Sequence, residues 1–349
     1  MPTLLDPLRV GALTLPNRVV MAPLTRSRST ASRVPNALMA EYYRQRASAG
    51  LILTEATSVT PMGVGYHDTP GIWSAEQVEG WKLTTKAVHD AGGRIFLQLW
   101  HVGRTSDPFY LDGRQPVAPS AIAIPGPIDR VAPGKPYVVP RALELSELPG
   151  VIEGYRVGAE NAQKAGFDGV EIHGANGYLL DTFLQDKANV RTDGYGGSVE
   201  NRARLMLEVT DAVVSVWGAD RVGMHLSPRG DNPGMGDSNP LATFGYAAKE
   251  LGKRKLAFIC AREAVGADSI GPELKKAFGG VYIANQGFDF ASGNQALHDG
   301  WADAIAFGKL KIANPDLAVR FAKGASLNAW DGSTFYAGET KGYTDYPAL

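Results

Sequence analysis

SELPGVIEGYRVGAENAQKAGFDGVEIHGANGY, residues 146–178, is the stretch whose reading decides the fold. Ser146 is a candidate N-cap, and Ile152, Tyr155, Ala159, Ala162 and Ala165 then recur at three- and four-residue spacing, the stripe of a helix that buries one face. Gly166 suits the left-handed position that ends such a helix, and Gly169-Val170-Glu171-Ile172-His173 reads as a buried strand. Similar candidate strands lie at 19–22, 51–55, 95–98, 222–226, 256–260, 281–284 and 304–307, which makes eight with this one. Helical patterns at 36–49, 75–91, 200–217, 244–253, 271–278 and 290–299 separate most of them. Eight strand–helix units predict an α/β fold of the (β/α)8 TIM-barrel type. A doubly wound open sheet has the same local pattern, but no G-x-G-x-x-G follows the first strand.

Two regions fall outside the repeat. Residues 8–15 read as an N-terminal hairpin that turns at Gly11 and closes the barrel bottom. Residues 105–140 are Pro-rich with little periodicity, as expected of a long loop after strand 3 on the functional face. No linker or internal repeat divides the chain, so residues 1–349 are expected to form a single barrel domain. A formal charge of -1 gives no general reason to seek nucleic acid or an anionic membrane. Hydrophobic residues at 44% against 20% charged argue against disorder. The single cysteine, Cys260, excludes an intramolecular disulfide, a four-cysteine zinc site and a cysteine-ligated iron–sulfur cluster. MPTLLDPLRV lacks the basic start and apolar core of a signal peptide, and no apolar run reaches the ~18 residues of a membrane span. The expectation is a cytoplasmic protein of open oligomeric state whose partner is a small molecule.

In a barrel the strand C-termini and the loops after them form the active face. His173, Asn176 and Tyr178 fall there within six residues. The first two supply neutral donors for an oxygen that gains negative charge, and the third a phenol with a reference pKa near 10, a general acid toward a basic carbanion. Taken singly, a histidine or tyrosine here reads better as core or loop packing. Three such groups at one strand end favour function. A metal alternative uses His101, His173 and Glu171, the last two on one face of their strand, but no H-E-x-x-H spacing is present and no metal is expected. Asn285-Gln286-Gly287 and Gly308-Lys309 occupy the place of the usual barrel phosphate site, after the last two strands, although ordinary glycine turns read the same way.

PNRVVMAPLTR (16–26), GYHDTPGIWS (65–74), QLWHVGR (98–104), AGFDGVEIHGANGYLLDTFL (165–184), NVRTDGYGGSVENRARL (189–205), DAIAFGKLKIANPDL (303–317) and TFYAGETKGYTDYP (334–347) stand in the order of one family. On them the chain resembles the old yellow enzymes, the flavin-dependent ene-reductases, and most resembles bacterial cyclohexenone reductase-like members. The resemblance implies tightly but non-covalently bound FMN, reduced by NADPH or NADH. It implies reduction of the activated C=C bond of α,β-unsaturated ketones, aldehydes or imides, with hydride from flavin N5 and a proton from Tyr178. Carried over by position, Pro23, Leu24, Thr25, Ala56 and Gln98 would contact the flavin ring, and Asn285, Gly287, Gly308 and Lys309 its phosphate. His173 and Asn176 would hold the substrate carbonyl in a pocket shaped by Tyr66, Trp100 and Tyr336. Three departures stand out. His225, in Met224-His225-Leu226-Ser227-Pro228, replaces an arginine common near the flavin pyrimidine; Lys309 replaces an arginine at the phosphate; and Arg262, just beyond the sixth strand, is expected to supply the missing guanidinium. The competing functions are a nitro-ester or nitroaromatic reductase on the same flavin, a metal-dependent barrel lyase or hydrolase, and a phosphate-ligand binding protein without chemistry.

Overall fold

The computed structural model describes residues 1–128 and 134–349, so residues 129–133 of the expected long loop lie outside the described residues. The chain opens with an antiparallel hairpin, β1 (Leu8–Val10) and β2 (Leu13–Leu15), turning through Gly11 at φ 52°. Then follow β3 (Val19–Met21), α1 (Ala37–Arg44), β4 (Leu51–Ser58), α2 (Ala75–Asp90) and β5 (Ile95–Trp100). The segment after β5 is less featureless than its composition suggests. It carries the two-residue strands β6 (Val117–Ala118), β7 (Pro127–Ile128), β8 (Lys135–Pro136) and β9 (Arg141–Ala142), paired β6 with β9 and β7 with β8. Next come α3 (Leu148–Lys164), β10 (Gly169–Gly174), α4 (Leu179–Leu184), α5 (Val199–Trp217), β11 (Val222–Leu226), α6 (Pro240–Lys253) and β12 (Phe258–Arg262). The chain ends with α7 (Gly271–Phe278), β13 (Val281–Asn285), α8 (Phe290–His298), β14 (Ala304–Phe307), α9 (Lys309–Ala313), α10 (Leu317–Lys323) and an irregular C-terminal segment.

β3, β4, β5, β10, β11, β12, β13 and β14 close into one parallel barrel, as the eightfold pattern predicts. Several boundaries move. Ser146 is not the cap: it sits in a 3₁₀ turn, Leu145–Glu147, and α3 starts at Leu148. The pattern at 36–49 stops at Arg44, where successive turns bring the chain to β4. The sixth barrel strand runs Phe258–Arg262, two residues later than its apolar run, so Arg262 ends the strand and does not follow it.

Alternation along each strand sorts the side chains into two cores. Ile52, Leu97, Ile172, Met224 and Ile259 face outward into the layer beneath the helices, all buried. Val20, Leu51, Leu53, Phe96, Phe258 and Ile283 fill the barrel interior and pack on Val10 and Leu15 of the hairpin. Glycine makes this filling possible at two inward positions. A Cβ on Gly169 would lie 2.3 Å from the Phe96 ring, and one on Gly223 2.2 Å from the Phe258 ring. The two phenyl rings use that space and meet at 5.9 Å. The hairpin is therefore the floor of the barrel, with the Ala12 N–H donating to Asp220 at 2.9 Å.

Candidate active site

Above the apolar floor the inward positions turn polar. The Gln98 Nε2 donates to Glu171 Oε2 at 2.7 Å, and His225 Nδ1 lies 3.3 Å from Glu171 Oε1. All three side chains are buried, and Glu171, His225 and Cys260 lie within 4.8 Å of one another. Glu171 thus anchors two of the groups expected near a flavin ring, a role that sequence reading missed. Only the register of the closed barrel, which sets Glu171 opposite Gln98 on the neighbouring strand, reveals it.

One pleat higher, His173 sits between Trp100, Tyr178 and His225, with ring centroids 6.4, 5.0 and 5.6 Å away. Burial, with His225 and Arg262 nearby, pushes its pKa well below the ordinary histidine value, so the ring is neutral. His173 Nδ1 and Trp100 Nε1 are buried without a hydrogen-bond partner among the described residues. Such polar atoms mark a place built for a further group.

The turn after β10 brings Asn176 and Tyr178 to the same mouth. Asn176 and Gly177 both take left-handed backbone, φ 58° and 75°, which asparagine and glycine tolerate best. The Asn176 N–H donates to Ser227 Oγ at 2.7 Å, and the Gly177 N–H to Asp181 Oδ2 at 2.8 Å. Burial raises the Asp181 carboxyl to about 6, against hydrogen bonds from Gln185, the Gly177 N–H and Ser227. Asn176 Oδ1 accepts from Arg262 Nη1 at 3.0 Å, which leaves the Asn176 amide N–H groups to face the cavity. The Tyr178 hydroxyl is 2.9 Å from that of Tyr66, whose ring stacks on Trp100 at 5.6 Å. Tyr66, Tyr178 and Tyr336 share a narrow slot with Thr25 and Ser27. An outer cleft of about 210 Å³ adds Asn176 together with Ile124, Pro125 and Pro127 of the long loop.

A second cavity, about 640 Å³, opens beside this mouth. Leu24, Arg262, Asn285, Gly287, Gly308 and Lys309 line it. Gln286 and Gly287 have φ 91° and 87°, a tight turn whose backbone N–H groups suit an anion, and the Asn285 amide donates to Ala306 at 3.0 Å. Trp330 lies over Lys309, 5.8 Å from Nζ to the ring centroid; nothing in the sequence marked it. Arg262 links the two cavities, because it lines the second and bonds Asn176 of the outer cleft; its Nη2 also reaches Asp231 at 3.2 Å. Pro23 precedes Leu24 and Thr25 on the chain leaving β3, and buried Ala56 lies near the end of β4. The metal trio is not assembled. His101 accepts from the Gly103 N–H at 3.1 Å, burial pushes its pKa down to about 4, and it joins no cluster with His173 and Glu171 among the described residues.

A family model described as NADH:flavin oxidoreductase / NADH oxidase matches residues 3–328. 12-Oxophytodienoate reductase 1 of Oryza sativa subsp. japonica is 46% identical over 360 residues, 99% of this chain and 93% of that one. Flavin oxidoreductase hxnT of Emericella nidulans is 43% identical over 381 residues, 99% and 97%. Among solved structures, the old yellow enzyme homologue from Zymomonas mobilis superposes with a TM-score of 0.97 at 49% identity, covering 100% of both chains. Morphinone reductase in complex with tetrahydroNAD gives 0.96 at 49% identity, covering 100% of this chain and 98% of that one.

Proposed function

The chain belongs to the NADH:flavin oxidoreductase / NADH oxidase family, the old yellow enzymes, and is an FMN-dependent NAD(P)H oxidoreductase acting on C=C bonds; from that premise we propose that it reduces the activated alkene of α,β-unsaturated ketones, aldehydes or imides. The observation that carries this reading is the meeting of a neutral His173, the Asn176 amide N–H groups and the Tyr178 hydroxyl at one strand end. Two donors aimed at one oxygen stabilise the negative charge that develops on a carbonyl during attack at the β-carbon. A neutral imidazole suits this task, because it donates without itself releasing a full charge into the buried mouth.

FMN, when bound, supplies the hydride. Pro23, Leu24, Thr25, Ala56, Gln98 and His225 would hold its ring, and Asn285, Gly287, Gly308, Lys309 and Arg262 its phosphate side. Glu171 fixes the Gln98 and His225 side chains from below. Tyr178 donates the proton to the α-carbon, and the Tyr66 hydroxyl beside it orients that proton. Trp100, Tyr66 and Tyr336 wall the pocket and keep water from the reacting carbon. Arg262, bonded to Asn176, links the cofactor side to the carbonyl-binding side, which extends the role expected of it.

The purified protein is expected to be yellow, to bleach anaerobically with NADPH or NADH, and to regain its colour when an enone is added. A colourless preparation overturns the reading. Reoxidation by nitro compounds but not by enones, unaffected by Tyr178→Phe, turns it into a nitroreductase.

A further inference from the structure

Tyr336 stands in the slot beside Tyr66 and Tyr178, yet the chain that carries it has almost no regular structure. Past the 3₁₀ turn Gly332–Thr334, residues 335–341 belong to no helix or strand. One side chain makes most of the bonds that hold them, beside Arg26 Nε, which donates to the Phe335 carbonyl at 3.0 Å, and His67 Nε2, 3.3 Å from that of Tyr336. Arg28, only 5% exposed, donates to the carbonyl oxygens of Thr334 (2.8 Å), Phe335 (3.2 Å), Ala337 (2.6 Å), Glu339 (3.1 Å) and Lys341 (3.4 Å). Its remaining bond goes to its near neighbour, the Arg26 carbonyl, at 2.5 Å. Gly338, at φ 91°, turns the segment past the guanidinium, where a Cβ would be in ordinary contact with Nη2.

We propose that Arg28 is a positioning residue for the substrate pocket: by gathering the backbone carbonyls of residues 334–341 it sets the wall that carries Tyr336 against Tyr66 and Tyr178. This rests on the ene-reductase reading of the site. Three features support it. First, a planar fork of five N–H donors can serve more carbonyls, spread further along a segment, than the three donors of an ammonium. Second, every bond from Arg28 to the wall goes to backbone, so this docking does not depend on the wall's side chains. Third, the base of the segment has separate anchors. Arg26 Nη2 donates to the Gly342 carbonyl at 2.8 Å, Arg46 Nη2 to that of Tyr343 at 3.2 Å, and Tyr343 stacks on Tyr42 at 4.0 Å. Arg26 also reaches the wall at Phe335, so the two share that residue, but the carbonyls of Ala337, Glu339 and Lys341 are gathered by Arg28. Ser27, between Arg26 and Arg28, takes left-handed backbone at φ 54° and lines the same slot as Tyr336, so floor and wall of the slot meet at one strained turn.

The test compares the holoenzyme with Arg28→Met and Arg28→Lys, using cyclohex-2-enone as probe. Amide hydrogen exchange is followed over residues 334–341 and over β10. In Arg28→Met the wall amides should exchange at least about tenfold faster, with β10 unchanged. The enone KM should rise about tenfold, with kcat and FMN content within about twofold, the pattern of lost binding common to ground and transition states. Arg28→Lys should recover part of both effects. Unchanged exchange and unchanged KM overturn the proposal, and so does loss of FMN in step with activity, which would make Arg28 a general support of the fold. If Arg28→Met does not fold, Arg28→Lys carries the same two readouts, because it keeps the buried charge. Hydrogen exchange needs no turnover, so a wild-type protein that reduces no enone defeats the functional reading while leaving the positioning of the wall open to measurement.

Discussion

The two ends of the barrel are built from the same eight strands and share almost no chemistry. At the floor the inward positions hold Val20, Leu51, Phe96 and Phe258, sealed by Val10 and Leu15 of the hairpin. At the mouth the same strands present Gln98, Glu171, His173 and His225, all buried and tied to one another or left with an orphan nitrogen. Along β10 the change takes four residues, from Gly169, which makes room for Phe96, through Glu171 to His173. Burial is equal at both ends, so burial alone does not distinguish stability from function; the polarity of what is buried does. The sharpest way to break this division is at the floor. Phe258→Ala is expected to cost about 3–5 kcal/mol of stability, read from the denaturant midpoint, while turnover per bound flavin stays as it was. If turnover per flavin fell as steeply as stability, the two ends would not be separable.

At the mouth the expectation is reversed. Tyr178→Phe should slow alkene reduction by about 10²-fold or more, the usual contribution of a positioned general acid. Flavin reduction by NADPH should be nearly unchanged, and stability should shift little because only one hydroxyl is lost. Anaerobic stopped-flow measurement of the two half-reactions separates these effects. Equal losses in both would remove Tyr178 from its role as proton donor. Tyr66→Phe, which removes the hydroxyl 2.9 Å from that of Tyr178, should give a smaller loss in the same half-reaction.

This division also explains what was legible in the sequence. The floor and the helix layer follow periodicity, because apolar side chains at 2- and 3.6-residue spacing leave a regular trace. Gly11 and the hairpin were readable for the same reason, from a turn residue between two short apolar runs. The trio His173, Asn176 and Tyr178 was readable because one turn carries all of it. Contacts that join distant segments leave no such trace. The Arg262–Asn176 bond spans 86 positions, and the Arg28 bonds to the C-terminal wall span about 306 to 313. Only the closed barrel brings those residues together. The shift of β12 by two residues has a local cause. Leu256 and Ala257 are as apolar as the strand, but the Ala257 N–H is shared between Ala219 and Val222, the first residue of β11, and the ladders with β11 and β13 both start at Phe258. Ser146 lost its capping role because a 3₁₀ turn precedes α3, with Glu147 bonding back to the Glu144 N–H at 2.8 Å.

Buried polarity at the mouth should also appear in the pH dependence of stability. Burial raises the Glu55 carboxyl from 4.5 to about 7, against the Arg26 and Ser27 backbone hydrogen bonds and the Arg26 and Arg28 charges. The folded chain therefore holds this proton more tightly than the unfolded one, and its contribution to stability falls as pH rises from about 4.5 to about 7. His101, pushed down from 6.5 to about 4, works the other way across most of that window, so the wild-type curve alone does not isolate Glu55. The difference between wild type and Glu55→Gln does. Wild type should lose on the order of 2 kcal/mol relative to the variant between pH 4.5 and 7, measured by chemical denaturation at several pH values. A difference that does not change with pH would show that Glu55 is ionised throughout, and the mouth would then carry a buried carboxylate that its arginines fully compensate.

The smallest expected effect lies where the mouth meets solvent. Lys309 is exposed and borders the second cavity, where an arginine would offer a fixed fork and a lysine offers a mobile point charge. An exposed charge contributes little and is screened by salt. Lys309→Met is therefore expected to weaken FMN binding only about five- to tenfold at low salt, and less at high salt, by fluorescence titration of the apoprotein. Arg262→Met should cost more, because Arg262 is less exposed, borders the same cavity and also fixes the Asn176 amide. It should further raise the enone KM, which Lys309→Met should not. Equal losses of FMN affinity in the two variants, with no change in enone KM, would mean that Arg262 acts on the cofactor as one more cation and does not connect the two cavities.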